Sequence, residues 1–508
     1  MQRLRITILD LVTRGPTAKA FARIMNANLA SIMPQAIAVW CEELGHDVRF
    51  VCYTGFEDIG AALREDADVL IVGAFTRSAQ VAYAISNLYR RRGAVTVLGG
   101  PHARCYPEDA AKYFDYVLGF TDKTLLDDVL REPRPRRHGL HLSATRHPAT
   151  LPGVEERWKF IAPTIAKAPI FKFVPMIGSM GCPYTCSFCI DSTVDYQPLA
   201  FEQIQSDLRF LLGKMRKPRV GWHDPNFGVR FDDYMGAIEE AVPPGRIDFV
   251  AESSLSLLSE PNLKRLEKNG FKGMMPGIES WYEFGNKSKT GRSQGLDKVR
   301  QVADHINLIL NYIPFVQTNF VLGLDCDHGA EPFELTKRFV DLVPGAYPAF
   351  SLFTAYGRAA PLNLELQRAG RVLPVPFQFL NAHHAMNVRP LNYDWVTFYD
   401  HVIDLTRYSL SWPRIGRRLR ANRGIIPKWL NAVRAVSSGR VPYQSKLRDT
   451  LISDPAFRAF FDGETRKIPA FYEKRVRRSL GPLWEALPAG ALEHDPTAWL
   501  NTSAPAAA

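Results

Sequence analysis

An α/β protein with a mainly helical C-terminal region is predicted for this 508-residue chain on three observations. Strand-like apolar runs alternate with amphipathic helical runs over residues 3–132, and the alternation resumes from 171 to about 357. Between them, 133–170 is polar and punctuated by prolines at 133, 135, 148, 152 and 163. Such alternation marks parallel sheets covered by helices. With 46% apolar and 23% charged residues the composition is that of a globular protein, long enough for about two to four domains.

In the first unit, residues 1–132, strands are expected at Leu4–Leu9, Val48–Tyr53, Ala67–Ala74, Ala94–Leu98 and Tyr116–Phe120. Helices are expected at Met33–Leu44, Asp58–Glu65, Ala79–Arg91, Pro107–Phe114 and Thr124–Arg131. This is the pattern of a doubly wound, Rossmann-like sheet, which binds ligands beyond the carboxyl ends of its strands. Three of those ends stand out: Asp10 to Gly15, Gly73 to Ser78 with Thr76 and Ser78, and Leu98-Gly99-Gly100-Pro101-His102. Paired glycines there either admit a ligand to the backbone or make a tight turn; His102 reads as a turn residue.

Residues 133–170 read as a connector. In the second unit, 171–370, strands are expected at Phe173–Met176, Arg219–Trp222, Ile247–Ala251, Gly273–Met275, Phe315–Leu322 and Ala349–Thr354. Helices fit Phe201–Met215, Phe231–Ala241, Pro261–Asn269, Gly295–Leu310 and Pro332–Leu342. The strand ends carry polar residues: His223-Asp224, Glu252-Ser253-Ser254, Gly277-Ile278-Glu279-Ser280, and Asn319 followed by Gly323-Leu324-Asp325. At each, a cap or turn is the alternative to ligand contact.

After the first of these strands runs Cys182-Pro183-Tyr184-Thr185-Cys186-Ser187-Phe188-Cys189, three of the seven cysteines at C-x3-C-x2-C spacing on a glycine-marked loop. Three thiolates so placed can hold three corners of an iron–sulfur cluster. Structural zinc wants four ligands, usually as two pairs, and no partner pair occurs elsewhere in the sequence. A disulfide framework belongs to small secreted chains, and three merely packed cysteines are the remaining alternative.

The motif, with Cys182, Cys186, Phe188 and Cys189 in register, resembles the signature of radical S-adenosylmethionine (SAM) enzymes. The resemblance implies a partial (β/α)6 barrel holding a 4Fe-4S cluster through Cys182, Cys186 and Cys189. SAM would chelate the fourth iron, and a 5'-deoxyadenosyl radical would take hydrogen from the substrate. It also implies SAM contacts at Phe188, Asp224, Glu279, Asn319 and Gly323, Asp224 standing only approximately for the family's acid. Together with the barrel, Val97 to His102 and Asp115 to Gly119 resemble the cobalamin-binding domain of one large class of the family, implying cobalamin contacts at Thr76, Ser78, Gly99 and Gly100. Many cobalamin domains carry D-x-H-x-x-G, whose His ligates cobalt; here Asp10-Leu11-Val12-Thr13-Arg14-Gly15 puts Val12 at that place, so cobalamin is expected without a protein ligand below the metal.

The first functional expectation is C-methylation of an unactivated carbon, with methyl carried from SAM by cobalamin and a reductant such as flavodoxin or ferredoxin as partner. A cyclase, oxidase or rearrangement enzyme on the same architecture is the near alternative, and a non-catalytic iron–sulfur or cobalamin sensor the distant one. Among the other cysteines, Cys41 and Cys52 read as core, Cys105 is undecided, and Cys326 is either a buried or incidental cysteine or a hydrogen donor or ligand at the site. Adjacent His383 and His384, read as a strand, would point to opposite faces.

No export signal precedes the first strand and no segment reads as membrane-spanning, so a cytoplasmic protein is expected. The net charge of +11 is local: Ser411–Arg448 holds ten of the 63 basic residues and no acid, leaving 53 basic against 52 acidic residues elsewhere. A solvated helical face is the plain reading of that segment; peripheral contact with the cytoplasmic face of a membrane, supplying a lipid-like in place of a soluble small-molecule substrate, is the sharper one. Nucleic acid is disfavoured, since no nucleic-acid-reading motif accompanies the charge. The tail Pro505–Ala508 is expected to fray.

Overall fold

The computed structural model describes residues 2–282, 293–381, 383–437 and 439–500; the tail Pro505–Ala508 lies outside them. Six parallel strands form the first sheet in the order β2-β1-β3-β4-β5-β6: β1 Arg5–Leu11, β2 Asp47–Tyr53, β3 Val69–Ala74, β4 Val95–Gly99, β5 Tyr116–Leu118 and β6 Leu140–Leu142. β1 is buried from Ile6 to Leu11, which is why its apolar run is nearly unbroken instead of alternating. One face packs Ile6, Ile8, Ile71 and Val97 against Ile37 and Leu126 of the helices Ile32–Glu43 and Lys123–Arg131. The other face, with Leu9, Leu11, Val72 and Leu98, shares one continuous core with the second unit.

The stretch 133–170 differs from the connector expected of it. It contributes β6, paired with β5, and the helix Val154–Ala166. β6 is a three-residue edge strand with Leu140 and His141 exposed, so it has no buried face whose alternation a sequence could show. The expected helix at Asp58–Glu65 shrinks to Ile59–Ala62, capped by the Asp58 carboxylate.

The second sheet contains β7 Phe173–Met176, β10 Arg219–Trp222, β11 Asp248–Ala251, β12 Phe271–Met274, β13 Gly277–Glu279, β14 Phe315–Leu322 and β15 Tyr347–Leu352, all parallel. A separate two-stranded ladder, β8 Ser179–Met180 with β9 Gln197–Pro198, closes the cysteine loop. β12 pairs the start of β14 and β13 its middle, so the two are one strand interrupted at Met275-Pro276, where proline offers no N–H to the ladder. Counted that way, six parallel strands follow one another in chain order, which is the expected partial barrel.

β7 and β15 are its edges, and C-terminal residues span the gap between them. In the helix Ile425–Ser437, Trp429 meets Phe171 just before β7 (ring centroids 5.9 Å apart), and Arg434 lies 4.2 Å over the ring of Tyr347 at the start of β15. From the first unit, Phe21 packs under Arg434 and Asn28 accepts the Phe173 N–H at 2.9 Å. Further contacts tie the two units together: Tyr106 donates to the Ala355 carbonyl (3.1 Å) and Arg358 pairs with Glu108 (2.7 Å). Beyond 371 the chain is mainly helical, with the longest helices at Trp395–Ser409, Ile425–Ser437 and Arg440–Ser453.

At the end of β1, Asp10 is buried and accepts the Ser31 N–H at 2.7 Å. Burial pushes its carboxyl up to about 7. The folded state therefore binds this proton more tightly than the unfolded chain, so the Asp10 contribution is present below the ordinary carboxylate range and is lost as pH rises towards 7. In the limit the loss is roughly 4 kcal/mol. Urea unfolding should show the stability of wild type falling more steeply between pH 5 and 8 than that of Asp10→Asn, which keeps an acceptor for Ser31; parallel curves would contradict it.

Candidate active site

The carboxyl ends of the two sheets face a common cavity of ≈1460 Å³. From the first unit its floor is made of small residues at strand ends, Gly73, Ala74, Gly99, Gly100 and Gly119. A Cβ on Gly99 would have no atom within 4 Å, so the space beside that backbone is open. The barrel contributes Ile177, Met180, Trp222, His223, Val250 and Phe315 to a mainly apolar wall. Burial pushes the His223 imidazole down to about 4, which leaves it neutral at physiological pH.

The cysteine loop leaves the barrel over a buried carboxylate. Asp224, 2% exposed at the end of β10, accepts the Gly178 N–H (3.0 Å), the Ser179 hydroxyl (2.7 Å) and the Tyr234 hydroxyl (2.6 Å). Burial pushes its pKa up while those donors draw it down, the net shift being upward. Gly181 then turns with φ +69° against the Val194 and Asp195 carbonyls, a close approach that a side chain would block. Cys182 and Cys186 are buried and Cys189 is half-buried; the Cys189 N–H bonds the Cys186 carbonyl at 2.9 Å. The Asp191 N–H points at the Cys189 sulfur (3.4 Å).

Other residues fix the rest of the loop. Tyr184 meets the Ser256 hydroxyl at 2.8 Å and Leu362 donates its N–H to the Ser187 carbonyl at 2.9 Å. From the first unit, Arg104 grips Asp191 (3.2 Å) and the Ile190 carbonyl (2.8 Å). Met180 and Asp191, on either side of the cysteines, line the cavity. Among the described residues no three His, Cys, Asp or Glu side chains are drawn together as in a preformed metal site. The fit to an iron–sulfur cluster rests instead on the donor set: three thiols on one short loop tied down at both ends.

The remaining expected site residues divide. Gly99, Gly100 and Asp224 line the cavity. Thr76 and Ser78 are buried and outside its lining, and the Ser78 hydroxyl is spent on the Thr13 carbonyl (3.0 Å); Arg77 between them faces the cavity instead. Asn319 is held by Gln317 (2.6 Å) and the Met275 carbonyl (3.3 Å) on the inward face of β14. Glu279 has φ +64°, alone among described non-glycine residues in that region, a conformation that costs about 1–3 kcal/mol and clusters at functional sites. At Gly323, with φ +86°, a Cβ would strike Phe398 at 2.8 Å and Met386 at 3.1 Å, so no side chain fits there.

Val12 lies in a small apolar cluster with Ala30 and Cys52. His102 is not a turn residue but part of the helix Pro101–Cys105, fully buried, its Nε2 2.6 Å from the Tyr83 hydroxyl. His383 and His384 sit on a turn and not in a strand. Asn381 accepts both of their N–H groups at 3.1 Å and meets His384 Nδ1 at 2.9 Å, while His383 Nδ1 lies 3.1 Å from the Phe350 carbonyl. Cys41, Cys52 and Cys105 are core, and Cys326 is half-buried with its sulfur 3.6 Å from the Ser280 hydroxyl.

No family model matches the chain. It is 26% identical over 377 residues to bacteriochlorophyllide d C-8(2)-methyltransferase of Chlorobaculum tepidum, covering 69% of this chain and 80% of that one. The fold matches that of OxsB, described as a cobalamin-dependent S-adenosylmethionine radical enzyme, with TM-score 0.55 and 13% identity over 96% of this chain and 80% of that one. It also matches TsrM, a radical S-adenosylmethionine methyltransferase from Kitasatospora setae, with TM-score 0.51 and 15% identity over 77% and 79% of the two chains.

Removing the Asp224 carboxylate strands three donors, each costing about 1–3 kcal/mol. Asp224→Ala should lower unfolding stability by roughly 3 kcal/mol or more and reduce iron bound per chain after anaerobic reconstitution several-fold. Tyr234→Phe, which removes one donor with its ring intact, should keep most of the iron. Wild-type iron content in Asp224→Ala would refute this anchoring role.

Proposed function

We propose that this chain, which has the fold of the cobalamin-dependent radical SAM enzymes, methylates an unactivated carbon of its substrate. One observation carries the reading: Met180 and Asp191, which flank the three-thiol loop, and a glycine floor from the other sheet line the same cavity. The methyltransferase named among its relatives supports the reaction class. When bound, a 4Fe-4S cluster supplies the electron that cleaves SAM to a 5'-deoxyadenosyl radical, and cobalamin supplies a carrier for the methyl group.

In this reading Cys182, Cys186 and Cys189 hold the cluster and leave one iron for SAM. Asp224 and Arg104 orient the loop from its two ends. Phe188, Glu279 and Asn319 keep the SAM-contact roles expected of them, whereas Gly323 and Asp224 act through the scaffold. Gly99 and Gly100 admit cobalamin to the strand ends, with no protein ligand from Val12. The apolar wall of Ile177, Met180, Trp222, Val250 and Phe315 excludes water from a radical that would otherwise be quenched.

A lipid-like substrate is part of the proposal. Ile425 and Ile426 line the cavity and are 85% and 48% exposed, and Trp412 nearby in sequence is 76% exposed. Exposed Arg417, Arg420, Arg423 and Lys428 accompany them, the combination that binds an anionic membrane surface. The basic surface is smaller than the sequence suggests. Arg418 is buried and donates to the Ala346 and Ser409 carbonyls, Arg414 pairs with Asp341, and Arg448 pairs with Asp400. No helix among the described residues is long and apolar enough to cross a membrane.

Anaerobic reconstitution with SAM and a reductant, with and without cobalamin, tests the chemistry. Wild type should release 5'-deoxyadenosine, and with cobalamin also S-adenosylhomocysteine; Cys186→Ala should do neither and lose the brown chromophore. Deoxyadenosine without S-adenosylhomocysteine in the presence of substrate and cobalamin would exclude methyl transfer. For the membrane, wild type should pellet with anionic liposomes at low salt, and a variant with Arg417, Arg420, Arg423 and Lys428 changed to Gln should stay in the supernatant. Equal, negligible pelleting would remove the lipid-like assignment.

A further inference from the structure

Five cations converge where the first unit, the barrel edge and the C-terminal helices meet: Arg14 and Arg77 beyond the ends of β1 and β3, Lys19, Arg434, and Arg440. Their neighbours are His383 and His384. Arg14 approaches His384 Nε2 at 3.2 Å and the Gln378 carbonyl at 3.4 Å. Arg77 donates to the Val12 carbonyl at 2.9 Å, and its Nε is buried without a partner. Arg434 bonds Gln317 and covers Tyr347, and Arg440 donates to the Phe350 carbonyl at 3.1 Å. Every acceptor is neutral. Among the described residues no carboxylate acts on any of the five.

Burial, then the neighbouring cations, hold the pKa values of Arg14, Lys19 and Arg434 below their ordinary range. Arginine does not respond to such an environment by losing its proton. Gathering like charges away from water and without a counter-ion costs several kcal/mol, a cost that Arg358 and Arg371 avoid by pairing with Glu108 and Asp325. Of the five, Arg77 and Arg434 reach the cavity, whose lining is mainly but not wholly apolar.

We propose that this acid-free basic wall is a binding subsite for an oxyanion, a carboxylate or phosphate borne by a molecule that enters the cavity. A guanidinium suits such a group because its fork offers parallel donors to two oxygens. The missing carboxylate of the wall is then supplied by the ligand, and the stability withheld from the empty protein is returned on binding. Two sources carry that chemistry: an acid group of the substrate, and the phosphodiester of the cobalamin nucleotide tail.

The test needs no radical chemistry, so it stands apart from the fate of the proposed reaction. Binding of 1-pyrenebutyrate and of neutral 1-pyrenebutyramide is measured by fluorescence, with and without cobalamin, in wild type, Arg77→Gln and Arg434→Gln. Retention of cobalamin and of cobinamide, which lacks the phosphodiester, is measured alongside. Wild type should prefer the carboxylate probe by at least about tenfold, the worth of one charge-assisted contact of about 1.4 kcal/mol, and each variant should lose most of that preference. Because each variant removes an uncompensated charge, its ligand-free melting temperature should rise, not fall. A preference that survives cobalamin loading assigns the anion to the substrate. One that vanishes on loading, together with a cobalamin-over-cobinamide advantage lost in the variants, assigns it to the cofactor tail. Equal binding of both probes and no cobalamin advantage in wild type would overturn the subsite, as would variants that melt earlier and keep the wild-type preference.

Discussion

The buried carboxylate of Asp224 decides where the cysteine loop begins. It joins three pieces of the barrel that are distant in sequence: the residues after β7, the end of β10, and the helix Phe231–Ala241 through Tyr234. A carboxylate out of water is tolerated only when its lone pairs are used, so the three donors and the charge stabilise one another and exclude other paths for Gly178 and Ser179. Arg104 then grips the far end of the loop from the other unit. Register between the loop and the glycine floor is therefore set by polar groups belonging to both sheets, and not by the cysteines.

The shared core makes that register stiff. Because one face of the first sheet packs into the same apolar body as the barrel, the two sets of strand ends are held apart at a fixed separation, with the cavity as what is left between them. The barrel's missing strands leave an opening between β7 and β15, and the chain fills it with its own C-terminal helix. The lateral wall of the cavity is thus made from the segment that also carries its most exposed apolar residues.

Much of this was legible from the sequence. The helices Ala79–Arg91 and Phe231–Ala241 and the strands β7, β10 and β14 have the bounds that periodicity predicts. β6 and β13 were not legible: Leu140 and His141 of β6 are exposed, and β13 is cut off from β12 by Pro276, whereas the equally short β5 is buried throughout and reads as an apolar run. At the site, the spacing of Cys182, Cys186 and Cys189 and the pair Gly99-Gly100 spoke for themselves. Asp224 and Gly323 were read as ligand contacts, and chemistry at a strand end looks the same whether it faces a ligand or the scaffold; the Tyr234 hydroxyl on Asp224 and the Phe398 ring beside Gly323 add scaffold contacts that no local pattern announced. Arg77 and Arg434 left no local signal at all. Their meaning lies in the absence of acids around them, and that is a property of the folded neighbourhood.

Val12 shows how sealed one of these choices is. The side chain sits 1% exposed among Ala30 and Cys52, off the cavity lining, with Asp10 two residues before it bound to the Ser31 amide. An imidazole at this position would meet a packed apolar niche, and the acid that would orient it is already engaged. Placing a metal-ligating histidine here would require Ala30, Cys52 and the turn at Ser31 to change together, each step costing stability before any benefit appeared. Single substitutions at position 12 therefore meet a stability barrier before they could reach a new ligand.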